Sequence, residues 1–73
     1  MDATPRDVDR EALKILHEAG FRWDSTLDAF RRGGSRIDYA FLRGQKLIAG
    51  ADINDRERIG QLQRLRILIQ GMD

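Results

Sequence analysis

Apolar positions near the start of the chain recur at the spacing of an amphipathic helix. Between residues 4 and 20 they are Val8, Ala12, Ile15, Leu16 and Ala19. Residues three or four apart lie on one face of a helix, so this spacing predicts helix 1. Thr4 as N-cap, Pro5 at the first helical position and Asp7 at the third form a capping box. Gly20 stands where a glycine commonly ends a helix.

After Gly20 the pattern changes to the alternation of apolar and polar side chains that is typical of strands. Residues 21 to 24 alternate and predict a first strand. Residues 24 to 27 supply a turn, and a second short strand ends at Phe30. Gly33-Gly34 is a two-residue hairpin turn, which sets Phe30 opposite Ile37 in a third strand.

A fourth strand is predicted from Leu47 to Ala51, after a three-residue connection at Arg43-Gly44-Gln45. That connection sets Phe41 opposite Leu47, whereas a two-residue loop would set Phe41 opposite Lys46. In the same register Tyr39 pairs with Ala49, and Ile37 pairs with Ala51. The sheet then has one apolar face formed by Phe21, Trp23, Phe30, Ile37, Tyr39, Phe41, Leu47 and Ala49.

A competing interpretation makes Ser25 to Arg32 a short helix. Ser25 with Asp28 is also a capping box, and Gly33 suits a C-cap. This alternative gives two helices, a hairpin and a final helix, close to a winged-helix outline.

The helical period returns after Asn54, which is predicted as an N-cap. The apolar stripe of this last helix is Ile59, Leu62, Leu65 and Ile69. Gly60 lowers the stability of this helix by roughly 1 kcal/mol relative to alanine. Residues 64–69 are also compatible with a strand. We therefore predict an α+β fold in a single domain of residues 1–73, ordered αββββα, with both helices on one face of a four-strand antiparallel meander.

The predicted register brings three arginines into one row on the open face of the sheet. Arg22 lies opposite Arg31, and Arg31 lies opposite Arg36, although like charges directly across strands are destabilising. Asp24 and Asp38 lie beside the row. Diagonal contacts between these aspartates and the arginines would relieve the repulsion, and the row would then be an ordinary solvated surface of paired charges without a ligand. The functional alternative is an anion-binding surface for nucleic acid or an acidic partner, to which Arg32, Arg43 and Lys46 at the turns also contribute.

Three apolar residues, Ala40, Leu42 and Ile48, point to the same open face by strand parity. Large apolar side chains beside arginines are typical of protein interfaces. These residues are therefore a candidate interface for a protein partner. The predicted edge strand, Leu47 to Ala51, offers a second interface, for a homodimer.

Composition narrows the kinds of site that the chain can carry. Of 73 residues none is cysteine, which excludes disulfides, a thiolate nucleophile and cysteine-based zinc sites. The single histidine, His17, has no serine near it in the predicted helix, so a Ser-His-Asp arrangement is not expected. We expect no catalytic residues, no metal site and no cofactor, and we predict a non-enzymatic protein.

No apolar run reaches the ~18 to 20 residues needed to cross a bilayer. The N-terminal sequence MDATPRDVDR is acidic and polar, unlike a signal peptide. We therefore expect a cytoplasmic protein without a membrane partner.

The net charge of +1 conceals an asymmetry along the chain. Residues 1–30 hold four basic and seven acidic side chains, a charge of −3, and residues 31–73 hold nine basic and five acidic, a charge of +4. Eleven of the thirteen basic residues are arginine, whose guanidinium suits bidentate recognition of phosphate or carboxylate. The coding bias of a GC-rich genome also produces an excess of arginine, so composition alone does not show whether these arginines bind anions.

The segment 16–24, LHEAGFRWD, followed by AFRR at 29–32, resembles the "G-F-R-W-D … A-W-x-R" helix–hairpin module of phage- and plasmid-borne proteins, several of them involved in DNA processing. The resemblance covers residues 16–32. It implies a hairpin over residues 21–32 and a mobile-element protein that acts on nucleic acid. Phe30 stands where the module usually has a larger aromatic side chain, and Asp28 where a basic one is common.

Overall fold

Three helices and a three-stranded antiparallel sheet follow one another in the order αβββαα in the computed structural model, which describes residues 4–50 and 53–72. The elements are α1 (Arg10–Glu18), β1 (Arg22–Asp24), β2 (Ala29–Arg32), β3 (Ser35–Asp38), α2 (Tyr39–Gly44) and α3 (Asp55–Gln70). The predicted α+β class is confirmed, whereas the four-strand αββββα layout is not.

The register predicted for the first three strands is confirmed. Trp23 pairs with Phe30, and Phe30 pairs with Ile37. Arg32 pairs with Ser35 across the Gly33-Gly34 turn, and Gly33 has a φ of 56°, a left-handed conformation that glycine adopts without strain. The helical alternative for residues 25–32 is therefore wrong.

The third strand ends at Asp38, and residues 39–44 form helix α2 instead of continuing the strand. Leu42 is fully buried in this helix, while Phe41 is 48 % exposed. The predicted pairs of Phe41 with Leu47 and Tyr39 with Ala49 are therefore not formed. The helix is favoured because one turn buries Leu42 under the sheet, where a strand would have sent it to the open face.

Residues 47–50 do not form the predicted fourth strand. Leu47 and Ile48 are buried in the core, and Ala49 makes an isolated antiparallel bridge to Val8. The segment therefore pairs with the chain before α1 rather than with β3. Ala51, the end of the predicted strand and the predicted partner of Ile37, lies outside the described residues.

Helix α1 begins later than the sequence predicts. Asp9 is its N-cap and accepts a hydrogen bond from the Glu11 amide at 2.9 Å, so the predicted capping box at Thr4, Pro5 and Asp7 is wrong. The predicted end is confirmed: Gly20 follows the C-cap with a φ of 95°, and its amide donates to the His17 carbonyl at 3.0 Å.

Helix α3 begins at the predicted N-cap, where Asn54 Oδ1 accepts from the Glu57 amide at 2.9 Å. Its predicted apolar stripe is partly wrong. Ile59 is 60 % exposed, whereas Gln61 is fully buried. The buried face consists of Gln61, Leu65 and Ile69, because α3 packs against α1 and against the segment that contains Ala49.

The core lies between the helices and the inner face of the sheet. Its buried apolar residues are Val8, Ala12, Leu16, Phe21, Phe30, Ile37, Leu42, Leu47, Ile48, Leu65 and Ile69. Among the residues that the structure describes, no helix is both long and apolar enough to cross a membrane.

Candidate anion-binding surface on the sheet

Three arginines form a row across the open face of the sheet, one from each strand. Arg22 of β1 lies opposite Arg31 of β2, which lies opposite Arg36 of β3. Neighbouring strands are about 4.8 Å apart, so the row spans about 10 Å of backbone. The sequence predicted this register, because the hairpin turns, the half-buried Trp23 and the buried Phe30 fix it.

Two aspartates beside the row form ion pairs with it. Arg31 Nη1 lies 3.5 Å from Asp24 Oδ2, and Arg36 Nε lies 3.2 Å from Asp38 Oδ1. The two arginine side chains remain 56 % and 53 % exposed. The predicted diagonal relief of like-charge repulsion is therefore present at Arg31 and Asp24, while the pair at Arg36 lies within one strand.

Arg22 makes a different set of contacts. Its Nη1 donates to the carbonyls of His17 at 3.0 Å and of Phe21 at 2.9 Å. These carbonyls lie at and just beyond the end of α1, where the negative end of the helix dipole attracts cations. Three guanidiniums and two carboxylates leave the row with one excess positive charge, and Arg22 has no carboxylate partner among residues 4–50 and 53–72.

Two shallow depressions flank Arg31 on this face. One, of about 360 Å³, is lined by Arg22, Trp23, Asp24, Ser25, Arg31 and Gly33. The other, of about 370 Å³, is lined by Leu27, Arg31, Gly33, Gly34, Ser35 and Arg36. Each depression thus has two arginines of the row on its wall. Both are open to solvent, so anions can reach the guanidiniums directly.

The other predicted basic residues do not join the row. Arg32 lies with its guanidinium 4.7 Å from the centre of the Phe21 ring and donates to the Ala19 carbonyl at 3.0 Å. This contact between a cation and an aromatic ring, at the end of α1, gives Arg32 a structural role. Lys46 lies beyond α2 with a φ of 55° and an exposed side chain.

Arg43 belongs to a separate polar cluster. Its Nη1 lies 3.4 Å from Asp7 Oδ2 and donates to the Tyr39 hydroxyl at 3.3 Å. The Tyr39 hydroxyl donates to Asp7 at 2.7 and 2.8 Å. The hydrogen bond to Asp7 raises the pKa of Tyr39 above its ordinary value of 10.0. The sequence pattern does not indicate this cluster, because Asp7 fits the capping box predicted for helix 1.

The predicted apolar interface is not formed as expected. Leu42 and Ile48 are buried, with 0 % and 2 % exposed, so neither points to the open face. Ala40 is exposed, but it lies on α2 and not on the sheet. The three residues differ from the prediction because strand parity does not hold in a helix or in a connecting segment.

A second basic region, which the sequence pattern did not predict, lies around the start of α3. A groove of about 470 Å³ is lined by Lys46, Ala49, Ile53, Arg56, Glu57, Gly60 and Arg64. Arg64 Nη2 donates to the Lys46 carbonyl at 3.3 Å. The signal was present in the sequence, since no acidic residue follows Glu57 until the last residue, Asp73.

Metal chemistry has no preformed site in the described part of the chain, where no group of three or more potential ligands lies together. His17 lies near the end of α1, and its backbone carbonyl, rather than its ring, contacts Arg22. Among the described residues, the strongest feature for function is the charged surface formed by Arg22, Arg31 and Arg36.

Comparisons with known proteins give no relative for this chain: no family model matches it, and no curated protein or solved structure is significantly similar to it.

Proposed function

We propose that this chain is a small nucleic-acid-binding protein without enzymatic activity, in which Arg22, Arg31 and Arg36 contact backbone phosphates. The observation that supports the proposal is the direct opposition of three like charges across three strands. Such an arrangement lowers stability. A bound phosphate chain would supply the negative charge that the row lacks.

The ion pairs on this face do not prevent phosphate binding. Exposed pairs between arginine and aspartate contribute about 0 to 1 kcal/mol, and the pairs of Arg31 and Arg36 are at 3.5 and 3.2 Å with both arginines more than half exposed. An arginine can also form bidentate bonds to phosphate oxygens. Phosphates can therefore displace Asp24 and Asp38 at small cost.

The helix and hairpin of residues 16–32 agree with the shape of the module that this segment resembles, since α1 leads through Gly20 into β1 and β2. We extend the proposal accordingly to a protein of a phage or another mobile element that acts in the cytoplasm. The alternative is a protein-interaction module, an inhibitor or adaptor, that offers the same arginines to an acidic partner.

The test is a titration of fluorescently labelled single-stranded DNA, duplex DNA and RNA at two salt concentrations. Affinity should fall as salt rises. In a plot of log affinity against log salt concentration, each phosphate contact steepens the fall by roughly 0.7 for single strands and 0.9 for duplex DNA. Three contacts therefore predict a slope of about 2 to 3. Arg31→Glu should abolish binding.

Lys14→Glu is the matched control, because it changes the net charge by the same amount on the exposed side of α1, where Lys14 lies 4.0 Å from Glu18. This variant should bind nearly as well as the wild type. Equal losses in Arg31→Glu and Lys14→Glu would show that net charge, and not the row, determines binding. Binding of polyglutamate without binding of any nucleic acid would support the protein-interaction alternative instead.

A further inference from the structure

The outer face of α3 exposes two large apolar side chains. Ile59 is 60 % exposed and Ile67 is 68 % exposed, more than Leu27 at 38 % or Phe41 at 48 %. Both isoleucines lie on a regular helix of 16 residues whose opposite side is buried against α1 and the core. A helix that carries apolar side chains on both sides has a second surface to cover.

The outer face is defined here as the exposed residues that helical geometry brings onto one side of α3. They are Arg56, Ile59, Gln63, Arg66, Ile67 and Gln70. At 3.6 residues per turn all six lie within about 100° of one another around the helix axis, so they share one side of the helix. The face is therefore continuous for most of the length of the helix.

This face is symmetric about Gln63. Ile59 and Ile67 lie four residues to either side of it, and Arg56 and Gln70 lie seven residues to either side. If two copies of α3 pack antiparallel around a two-fold axis at Gln63, Ile59 of each copy faces Ile67 of the other. An interface built around a two-fold axis needs a surface that is complementary to itself in this way.

Gly60 and Arg66 are also placed symmetrically, three residues to either side of Gln63. A glycine inside a helix costs about 1 kcal/mol relative to alanine. No close packing with the described residues requires it, because among them a Cβ at Gly60 would meet only the flexible Arg64 Nη1, at 3.4 Å. The missing side chain leaves room for Arg66 of a second copy.

The charges on the outer face favour antiparallel over parallel packing. The face carries two arginines, Arg56 and Arg66, and no acidic residue. Antiparallel packing about Gln63 sets Arg56 opposite Gln70 and Arg66 opposite Gly60 of the other copy, whereas parallel packing would set each arginine opposite the same arginine of the other copy. Antiparallel packing also opposes the helix dipoles.

We propose that the outer face of α3 binds a second copy of this chain by antiparallel α3 packing about Gln63. The surface that one helix offers is smaller than the roughly 800 Å² per partner of a stable complex. The dimer is therefore weak and depends on protein concentration. The proposal does not depend on nucleic-acid binding by the sheet.

Single cysteines test the geometry, because the chain has none of its own. Gln63→Cys should form a disulfide-linked dimer under mild oxidation, since the two-fold axis brings both copies of residue 63 together. Ile59→Cys should cross-link with Ile67→Cys in a mixture and not with itself, because eight residues of helix separate them by about 12 Å. Leu27→Cys, at an exposed turn, is the control and should stay monomeric.

Analytical ultracentrifugation across a concentration series gives the second measurement. The wild type should associate as concentration rises, and Ile67→Glu should remain monomeric with an unchanged circular dichroism spectrum, because Ile67 is exposed in the single chain. Leu27→Glu should associate like the wild type. A wild type that is monomeric at every concentration, or Ile59→Cys that links to itself as readily as to Ile67→Cys, would overturn the proposal.

Discussion

The carboxylate of Asp9 accepts hydrogen bonds from Nε and Nη2 of Arg58 at 2.7 and 2.6 Å. The pair joins the start of α1 to the first turn of α3. Asp9 also caps α1, and only 3 % of it is exposed. The hydrogen bonds from Arg58 lower the pKa of the Asp9 carboxyl below its ordinary value, although burial opposes them.

This lowered pKa predicts how acid affects stability. A carboxyl whose pKa is lower in the folded state stabilises the fold fully above its unfolded pKa, about 3.9, and the stabilisation is lost as pH falls through the folded value. Asp9→Asn should therefore be less stable than the wild type at pH 7 and lose less stability on acidification. Urea unfolding at neutral pH and below pH 4 measures both. Asp28→Asn, at an exposed turn, is the control, and equal acid sensitivity of Asp9→Asn and the wild type would contradict the prediction.

Gln61 is fully buried. Its side-chain amide forms two hydrogen bonds with the Ala49 backbone, as the backbone of a neighbouring strand would. Its Oε1 accepts from the Ala49 amide at 2.9 Å, and its Nε2 donates to the Ala49 carbonyl at 3.0 Å. Gln61→Ala leaves both backbone groups without these partners, and we expect a loss of about 1 to 3 kcal/mol in the free energy of unfolding. Gln63→Ala, exposed on the same helix, should change it by less than about 0.5 kcal/mol. Equal effects in dilute protein would show that the Ala49 contacts contribute nothing.

Two glycines should respond in opposite directions to alanine. A Cβ at Gly50 would lie 2.9 Å from both the Asp7 carbonyl oxygen and the Asp9 amide nitrogen, and this backbone cannot move without disturbing the start of α1. Gly50→Ala should lower the melting temperature. Gly60→Ala should raise the free energy of unfolding by up to about 1 kcal/mol, because alanine is the better helix former. Thermal unfolding of dilute, monomeric protein followed by circular dichroism checks both, and a destabilised Gly60→Ala under these conditions would mean that α3 needs this glycine for its own packing.

Trp23 and Phe30 on the inner sheet face and Tyr39 at the start of α2 contact one another edge to face through Trp23. The Trp23 ring centre lies 5.1 Å from that of Phe30 and 6.0 Å from that of Tyr39. Trp23→Ala should cost about 3 kcal/mol, the lower end of the range for such truncations, because the ring is half-buried and its Nε1 has no hydrogen-bond partner among residues 4–50 and 53–72. Phe30→Ala should cost more, since Phe30 is fully buried. An unchanged melting temperature in Trp23→Ala would refute this packing.

Arg31→Glu is expected to leave the free energy of unfolding equal or higher. The substitution removes the exposed contact with Asp24 at 3.5 Å, but it replaces repulsion from Arg22 and Arg36 by attraction. The net change should be within about 0.5 kcal/mol or favourable. Urea unfolding at low and high salt measures it. A marked loss at low salt would show that Arg31 serves the fold, and the argument that stability is sacrificed there for binding would fail.

Local chemistry determined much of the sheet from the sequence alone. The Gly33-Gly34 turn and the alternation around Trp23 and Phe30 fix the register of β1, β2 and β3, and with it the arginine row. Gly20 as the end of α1 and Asn54 as the cap of α3 were predictable for the same reason. Each of these features depends on residues that are neighbours in the chain or are joined by a tight turn.

Only the tertiary structure decided the remaining elements. The alternation of residues 39–44 predicts a strand. They form a helix because only the helix buries Leu42 in the core. Asp9 rather than Thr4 caps α1 because Arg58, distant in sequence, holds its carboxylate. Gln61 rather than Ile59 is buried because the Ala49 backbone needs a hydrogen-bonding partner. Contacts between distant residues can outweigh local propensity, and such contacts leave no periodic signal in the sequence.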